Sequence, residues 1–305
     1  MVKINSINYS VIIPHKNIPD LLERCLQSIP IREDIQVIVV DDNSDPDKVN
    51  FLEFPGLNRK NTEVYFTKEG KGAGYARNVG LTKAKGKWLI FSDADDYFNE
   101  CFNDLLDKYL NIEVDLVIFQ TNSIDAVTLD QIESRGKSYN KWIKKSFNYG
   151  EILEELRYKL HPPWGKFVSR KLVALYKIKF DEVYSSNDVM FSVLTGHYAE
   201  KILIDLNYLY CSTVRNGSLE YSRSLKNIEP RFFVSIRHYK FLLSKNKVRY
   251  RINIWEYLLK MIKIGDNSTK SKMLYSIKEI RLYYLICDFF KFCFNYIVFQ
   301  LKKLS

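Results

Sequence analysis

Lys87-Trp88-Leu89-Ile90-Phe91-Ser92 runs straight into Asp93-Ala94-Asp95-Asp96. A short apolar run rich in aromatic and branched residues reads as a buried strand. Its abrupt end in carboxylates puts charge where the strand leaves the core. The same pattern stands upstream, where Ile35–Val40 (IQVIVV) empties into Asp41-Asp42-Asn43-Ser44. Working outward, Tyr9–Pro14 (YSVIIP), Glu63–Thr67 (EVYFT) and Val114–Gln120 (VDLVIFQ) read as three more strands. Leu21, Leu22, Cys25, Leu26 and Ile29 recur at helical spacing between the first two. Gly72–Lys85 alternates small and apolar residues, as suits a helix packed closely on a sheet. Strands alternating with helices in this way predict an α/β fold with a mostly parallel central sheet flanked by helices.

In such sheets a ligand lies in the crevice outside the carboxyl ends of the strands. Both carboxylate clusters fall there, where a nucleotide and its metal are expected. Asp93-Ala94-Asp95 suits that task, since a divalent cation on a diphosphate needs a carboxylate that leaves positions open for phosphate and water. A solvated acidic turn is the ordinary alternative for an isolated Asp-x-Asp. A carboxylate at Asp41-Asp42 has the chemistry to accept the imide N–H of a uracil ring. Gly70–Asn78 (GKGAGYARN) brings Lys71 and Arg77 to a strand–helix junction, where backbone and cations approach phosphates. No Gly-Lys-Ser/Thr follows at Walker spacing.

Three stretches occur in a fixed order: SVIIPHKN (10–17), VIVVDDNS (37–44) and GAGYARNVGLTKAKGKWLIFSDADD (72–96). Together they resemble glycosyltransferase family 2, and the likeness continues more loosely through PWGKFVSRKL (163–172), IKFDEVYSSNDVMF (178–191) and LYCSTVRNGSL (209–219). The resemblance implies a GT-A fold and an inverting transfer of sugar from a nucleotide-sugar, UDP being favoured, to a glycan or lipid-linked acceptor in surface polysaccharide synthesis. It implies that Asp42 contacts the base with support from Asp41, that Asp93 lies near ribose or donor sugar, and that Asp95 holds Mn²⁺ or Mg²⁺. Pro14, His15, Lys71, Arg77 and Ala94 complete the donor-binding set. Asp188 falls where the family places its general base. Trp164, Lys166 and Arg215 are candidates for acceptor or phosphate contact, each with a plainer reading as packed anchor, surface lysine and turn arginine. The chain departs from the family pattern at His15-Lys16, where Val-Tyr is common, and at Asn187, where an acid usually precedes the base.

Two other functions fit the architecture. A sugar-nucleotide nucleotidyltransferase would carry a Gly-rich basic loop after the first strand, and PHKNIPD (14–20) stands there instead. An inactive glycan-binding module is disfavoured by the intact Asp93, Asp95 and Asp188.

The charge is unevenly spread. Residues 226–305 hold 17 Lys/Arg and 5 Asp/Glu, so that the chain's whole excess of +10 lies in its last quarter. This predicts two parts, a catalytic domain over 1–225 (donor half 1–125, acceptor half 126–225) and a basic, aromatic-rich helical region over 226–305. Leu282–Lys303 (LYYLICDFFKFCFNYIVFQLKK) is nearly apolar enough to span a bilayer, but Asp288, Lys291, Asn295 and Gln300 interrupt it. An amphipathic helix lying on an anionic membrane surface is expected, with packing on the catalytic domain or on a second copy as the alternative. No nucleic-acid motif accompanies the charge. The five cysteines form no Cys-x-x-Cys pair, and no apolar run follows a basic segment near Met1. Both features point to a reduced, cytoplasmic protein without a signal peptide.

Overall fold

The computed structural model describes residues 6–126, 128–132, 136–214 and 224–304. The chain divides into two compact units, Met1–Val183 with Asn187–Asn216, and Tyr184–Ser186 with Gly217–Ser305.

The first unit is built on an eight-stranded sheet. In chain order the strands are β1 Tyr9–His15, β2 Ile35–Asp42, β3 Thr62–Thr67, β4 Trp88–Phe91, β5 Tyr97–Phe98, β6 Leu116–Asp125, β7 Lys166–Ser169 and β8 Ile202–Val214. They lie in the order β3-β2-β1-β4-β7-β6-β8-β5. The β3-β2-β1-β4 half is parallel, β6 and β8 are parallel, and β7 and β5 run antiparallel to their neighbours. All seven residues of β1 and all eight of β2 are buried, as expected for strands covered on both faces. Pro14 is tolerated in this central strand for a local reason. Ser92 N–H donates to the Ile12 carbonyl, so Pro14, two residues on, turns its nitrogen toward the side where β4 has already ended.

Alternate residues feed two cores. Val11, Ile13, Val37, Val39 and Ile90 pack with Leu22, Cys25 and Leu26 of α1 (Pro19–Gln27) and Phe102 and Leu105 of α3 (Phe102–Tyr109). Ile12, Ile38, Val40, Leu89 and Phe91 pack on the other side with Ala76 of α2 (Ala73–Lys83). Phe191 of α7 (Val189–Tyr198) joins this second core. The small residues of α2 let it come close. A Cβ on Gly80 would stand 2.5 Å from Ile12 Cγ2, and one on Gly74 would stand 2.0 Å from the Asp181 carbonyl oxygen.

Residues 121–150 are polar and mixed in sequence, which predicts a surface connection, but the structure builds regular elements there. β6 runs on to Asp125, and α4 spans Lys137–Tyr149. Tyr139, Trp142, Ile143 and Ser146 fall at i, i+3, i+4 and i+7, and all four face the core. The interleaved Lys141, Lys144 and Lys145 dilute that stripe in the sequence. Glu151–Leu160 reads as helical in sequence, but the helix is confined to α5, Glu154–Tyr158, and α6 follows over Arg170–Leu175.

The second unit is helical: α8 Leu225–Ser244, α9 Trp255–Ile264, α10 Asn267–Ile277 and α11 Leu282–Leu304. Phe232, Ile236, Tyr239, Leu258, Met261 and Met273 form its core. Among the described residues no helix is long and apolar enough to cross a membrane.

Candidate active site

At the ends of β1 and β2, His15 and Asp41 are register partners and both side chains are fully buried. The Ile18 backbone N–H reaches His15 Nε2 at 3.1 Å, while Nδ1 lies 2.7 Å from Asp41 Oδ1. A backbone N–H can only donate, so Nε2 is the acceptor and the proton sits on Nδ1, which donates to Asp41. Asp41 also accepts from the Ser44 N–H at 2.9 Å and the Ser44 hydroxyl at 2.5 Å. Burial pushes the Asp41 carboxyl up, but the His15 and Ser44 hydrogen bonds outweigh it and hold the group below the usual carboxylate range. His15 and Asp41 therefore brace the turn, and both imidazole nitrogens are taken.

Asp42 points to the other face. Its Oδ2 accepts from the Gly72 N–H at 2.8 Å and lies 3.5 Å from Lys16 Nζ. Its Oδ1 is buried and has no hydrogen-bond partner. A carboxylate oxygen in that state lacks a donor. Gly72 holds φ 95°, a conformation that favours glycine and turns its N–H onto Asp42. Lys71 is exposed and lies over the Tyr75 ring at 5.0 Å.

Arg77 ties the acidic loop after β4 to the loop before α7. It is buried, donates through Nη1 to Asn187 Oδ1 at 2.7 Å, and donates through Nη2 to Asp93 Oδ1. The amide at Asn187 thus stands as the neutral second acceptor of a cation already paired with Asp93. Asp188 follows at the N-cap of α7, half-buried, and its side chain caps nothing. Among the described residues no other residue donates a hydrogen bond to its carboxylate. Burial raises its pKa above the usual carboxylate value, against the pull of Arg77.

The loop carrying Asp93, Ala94 and Asp95 is fixed from behind by residues far along the chain. Arg24 donates to the Asp95 carbonyl at 2.6 Å and to Thr213 Oγ1 at 2.9 Å. The Tyr210 hydroxyl accepts from the Asp93 N–H at 2.9 Å and donates to Asp96 Oδ2 at 2.8 Å. Thr213 N–H donates to Asp96 Oδ1 at 2.6 Å. Ala94 is buried, while Asp93 and Asp95 stay half-exposed.

This constellation sits on a recognisable chain. Residues 10–175 match the model for glycosyl transferase family 2, which is more than half of the sequence. The chain belongs to glycosyltransferase family 2. The glycosyltransferase is 26% identical over 226 residues to glycosyltransferase GlyA of Streptococcus pneumoniae, covering 69% of this chain and 31% of that one. It is 26% identical over 213 residues to the poly(ribitol-phosphate) beta-glucosyltransferase of Bacillus spizizenii, covering 68% of this chain and 32% of that one. The chain thus spans about a third of the length of these relatives. In structure it resembles S. aureus TarS 1–349, crystallised with UDP-GlcNAc, with a TM-score of 0.65, 19% identity, and coverage of 88% of this chain and 79% of that one. The fold is accordingly GT-A.

The remaining predicted residues of the glycosyltransferase fall in unexpected surroundings. Lys166 is no surface lysine: it is buried, donates to the Leu160 carbonyl at 2.8 Å, and burial pushes its pKa down to about 7 while Asp188 pulls it up. Trp164 is buried and stacks on Tyr210 at 5.2 Å, backing the ring that holds Asp93 and Asp96. Arg215 lies outside the described residues. Sequence reading missed Arg24, Asn78, Tyr210 and Thr213. Asn78, Tyr210 and Thr213 all sit inside the quoted stretches 72–96 and 209–219, whereas Arg24 lies in none of them; the Asn78 amide pairs with both backbone groups of Phe180 at 3.0 and 2.9 Å.

Proposed function

We propose that this glycosyltransferase transfers a sugar from a UDP-sugar to the hydroxyl of a glycan or lipid-linked acceptor by a single inverting displacement, at the inner face of the cell membrane. The observation that carries the reading is the Arg77 bridge from the Asp93 loop to Asn187, next to Asp188, whose carboxylate accepts no hydrogen bond from any other described residue. Asp188 then takes the proton of the acceptor hydroxyl as its oxygen attacks the anomeric carbon, and the bond to the nucleoside diphosphate breaks with its electron pair leaving on the diphosphate. One carboxylate suffices, because no glycosyl-enzyme intermediate forms. The buried Asp42 Oδ1 suits the imide N–H of uracil, and the likeness to a fold crystallised with UDP and UDP-GlcNAc supports that donor class.

The residues present also fit a divalent cation. Asp93 and Asp95 offer hard oxygens, and among the described residues no cluster of three or more His, Cys, Asp or Glu forms a closed cage. Asp95 would hold such a cation, whose remaining ligands would come from the donor's diphosphate and water, as suits Mg²⁺ and Mn²⁺. When bound, such a cation stabilises negative charge on the leaving diphosphate. Likeness to a poly(ribitol-phosphate) glucosyltransferase and to the minor teichoic acid biosynthesis protein GgaB of Bacillus subtilis supports a surface-polymer acceptor.

The test is Asp188→Asn, which keeps shape and cannot take a proton. Transfer should fall by about 10²–10⁴-fold with nucleotide affinity unchanged in calorimetric titration. In the wild type, kcat should climb with pH through the raised pKa of Asp188, and that climb should vanish in the variant. Near-normal turnover would move the base to another carboxylate, Asp181 or Glu182.

A further inference from the structure

Seated against its own bundle, α11 turns its one carboxylate inward and a row of aromatic and aliphatic side chains outward. Asp288 is buried and receives Arg251 through Nε at 2.9 Å and Nη2 at 2.5 Å. Asn253 donates to the Asp288 carbonyl at 2.9 Å, and Trp255 Nε1 to the Leu285 carbonyl at 2.8 Å. One side of the helix is thereby fixed to the segment leading into α9. On the far side stand Tyr283, Ile286, Phe290, Phe294 and Ile297, exposed by 69%, 46%, 67%, 67% and 57%. Their spacing of three or four residues puts one on each successive turn of a single face. A contiguous apolar face of this kind marks an interaction site.

Charge decides what covers it. The 226–305 segment carries 17 Lys/Arg against 5 Asp/Glu, and Lys278, Arg281 and Lys291 are exposed on or beside the helix. A second copy would bring an equal excess of positive charge against the first. An anionic lipid surface attracts it, and tyrosine and phenylalanine suit the headgroup boundary. No described helix is apolar and long enough to cross a bilayer, so the mode is lying on it. We propose that the Tyr283–Ile297 face of α11 docks the protein on an anionic membrane, with its aromatic side chains in the headgroup layer. This rests on the membrane location proposed above, and supplies the surface that achieves it.

The experiment is sedimentation of the full chain with phosphatidylcholine vesicles and with the same vesicles containing phosphatidylglycerol. The chain should sediment with the anionic vesicles at low salt, less so at high salt, and not with phosphatidylcholine alone. Phe290→Gln combined with Phe294→Gln should lower the affinity for anionic vesicles by about tenfold or more, with an unchanged thermal unfolding midpoint because both rings are already solvent-exposed. Phe147→Gln, which removes an exposed ring in the other unit, should leave binding intact. Wild-type binding that survives the double variant overturns this surface and leaves the membrane location standing. A chain that ignores anionic vesicles overturns both. A dimer in sedimentation velocity that the double variant dissociates, without vesicle binding, assigns the face to a second copy instead.

Discussion

A single oxygen, Asp42 Oδ1, carries the proposed choice of base. Its partner Oδ2 is held by the Gly72 N–H, so Asp42→Asn should keep its own oxygen there and present an amide N–H₂ where the carboxylate stood. That group opposes the imide N–H of uracil and suits the N3 acceptor of cytosine. UDP affinity should fall, and the UDP-to-CDP preference should shrink by roughly five- to a hundredfold, the worth of a buried donor or acceptor left unmatched. Calorimetric titration with both nucleotides decides it, and an unchanged ratio would remove Asp42 from base recognition. Asp96 offers the complementary lesson. In the sequence it is indistinguishable from Asp93 and Asp95, yet it is buried, and burial together with Asp95 and Asp93 raises its pKa well above the usual value. The folded state then keeps a proton that the unfolded chain releases near pH ~3.9. Stability from this group is full below that pH and is lost as pH rises through the folded pKa. Asp96→Asn has no such loss. Its denaturant midpoint should therefore move in its favour relative to wild type as pH rises from about 4 toward neutrality, and the opposite slope would refute a raised Asp96. The strand-end carboxylates were legible because an apolar run stops at them. The sorting of Asp96 from its neighbours was not, because Tyr210 and Thr213 arrive from more than a hundred residues away.

Among the elements, α2 links the donor end of the sheet to the proposed base. Its glycine at position 80 meets the core, and its glycine at position 74 meets the loop that leads to Asn187 and Asp188. Two alanine substitutions should therefore have different consequences. Gly80→Ala drives a methyl into Ile12 and should cost about 1–3 kcal/mol of stability, as overpacking does. Gly74→Ala must displace the Asp181 carbonyl, and with it the loop held by Arg77 and Asn78; kcat should fall by about tenfold or more, while UDP binding through Asp42 persists. Equal effects of the two on kcat would mean that the loop is not positioned by α2. The helix itself was readable from its small residues, and the strands β1, β2 and β4 from the continuous apolar runs that the structure buries throughout. Three of the eight strands were not. β5 has two residues and β7 four, and β8 opens as Ile-Leu-Ile-Asp-Leu-Asn, its pairing with β6 shifting register between Phe119 and Thr121. Periodicity cannot mark a strand that is short or bulged.

Across the whole molecule, the uneven charge is the sequence's argument for two parts, but it carries no information on how the last helix is turned. Asp288 reads in sequence as a polar interruption of a nearly apolar stretch. In the structure its partner Arg251 lies 37 residues upstream, and the pair is buried with side chains only 6% and 8% exposed. No pattern within α11 itself could have shown that. The arrangement makes a sharp prediction, because a buried ion pair and a buried lone charge behave oppositely. Arg251→Met leaves the Asp288 carboxyl in a site where burial already raises its pKa. The substitution should destabilise the helical unit by about 3–5 kcal/mol, since the remaining charge loses its compensation. Adding Asp288→Leu removes that charge and fills the space with carbon, so the double variant should recover most of the loss. Hydrogen exchange of the α9 and α11 amides reports the change in this unit separately from the sheet. If the single variant protects those amides as well as wild type, the ion pair does not seat α11. Protection lost alike in the single and double variants would mean that Arg251 acts by its packing rather than by its charge. Recovery in the double variant alone ties the orientation of α11, and so the outward face of Phe290 and Phe294, to one internal charge pair.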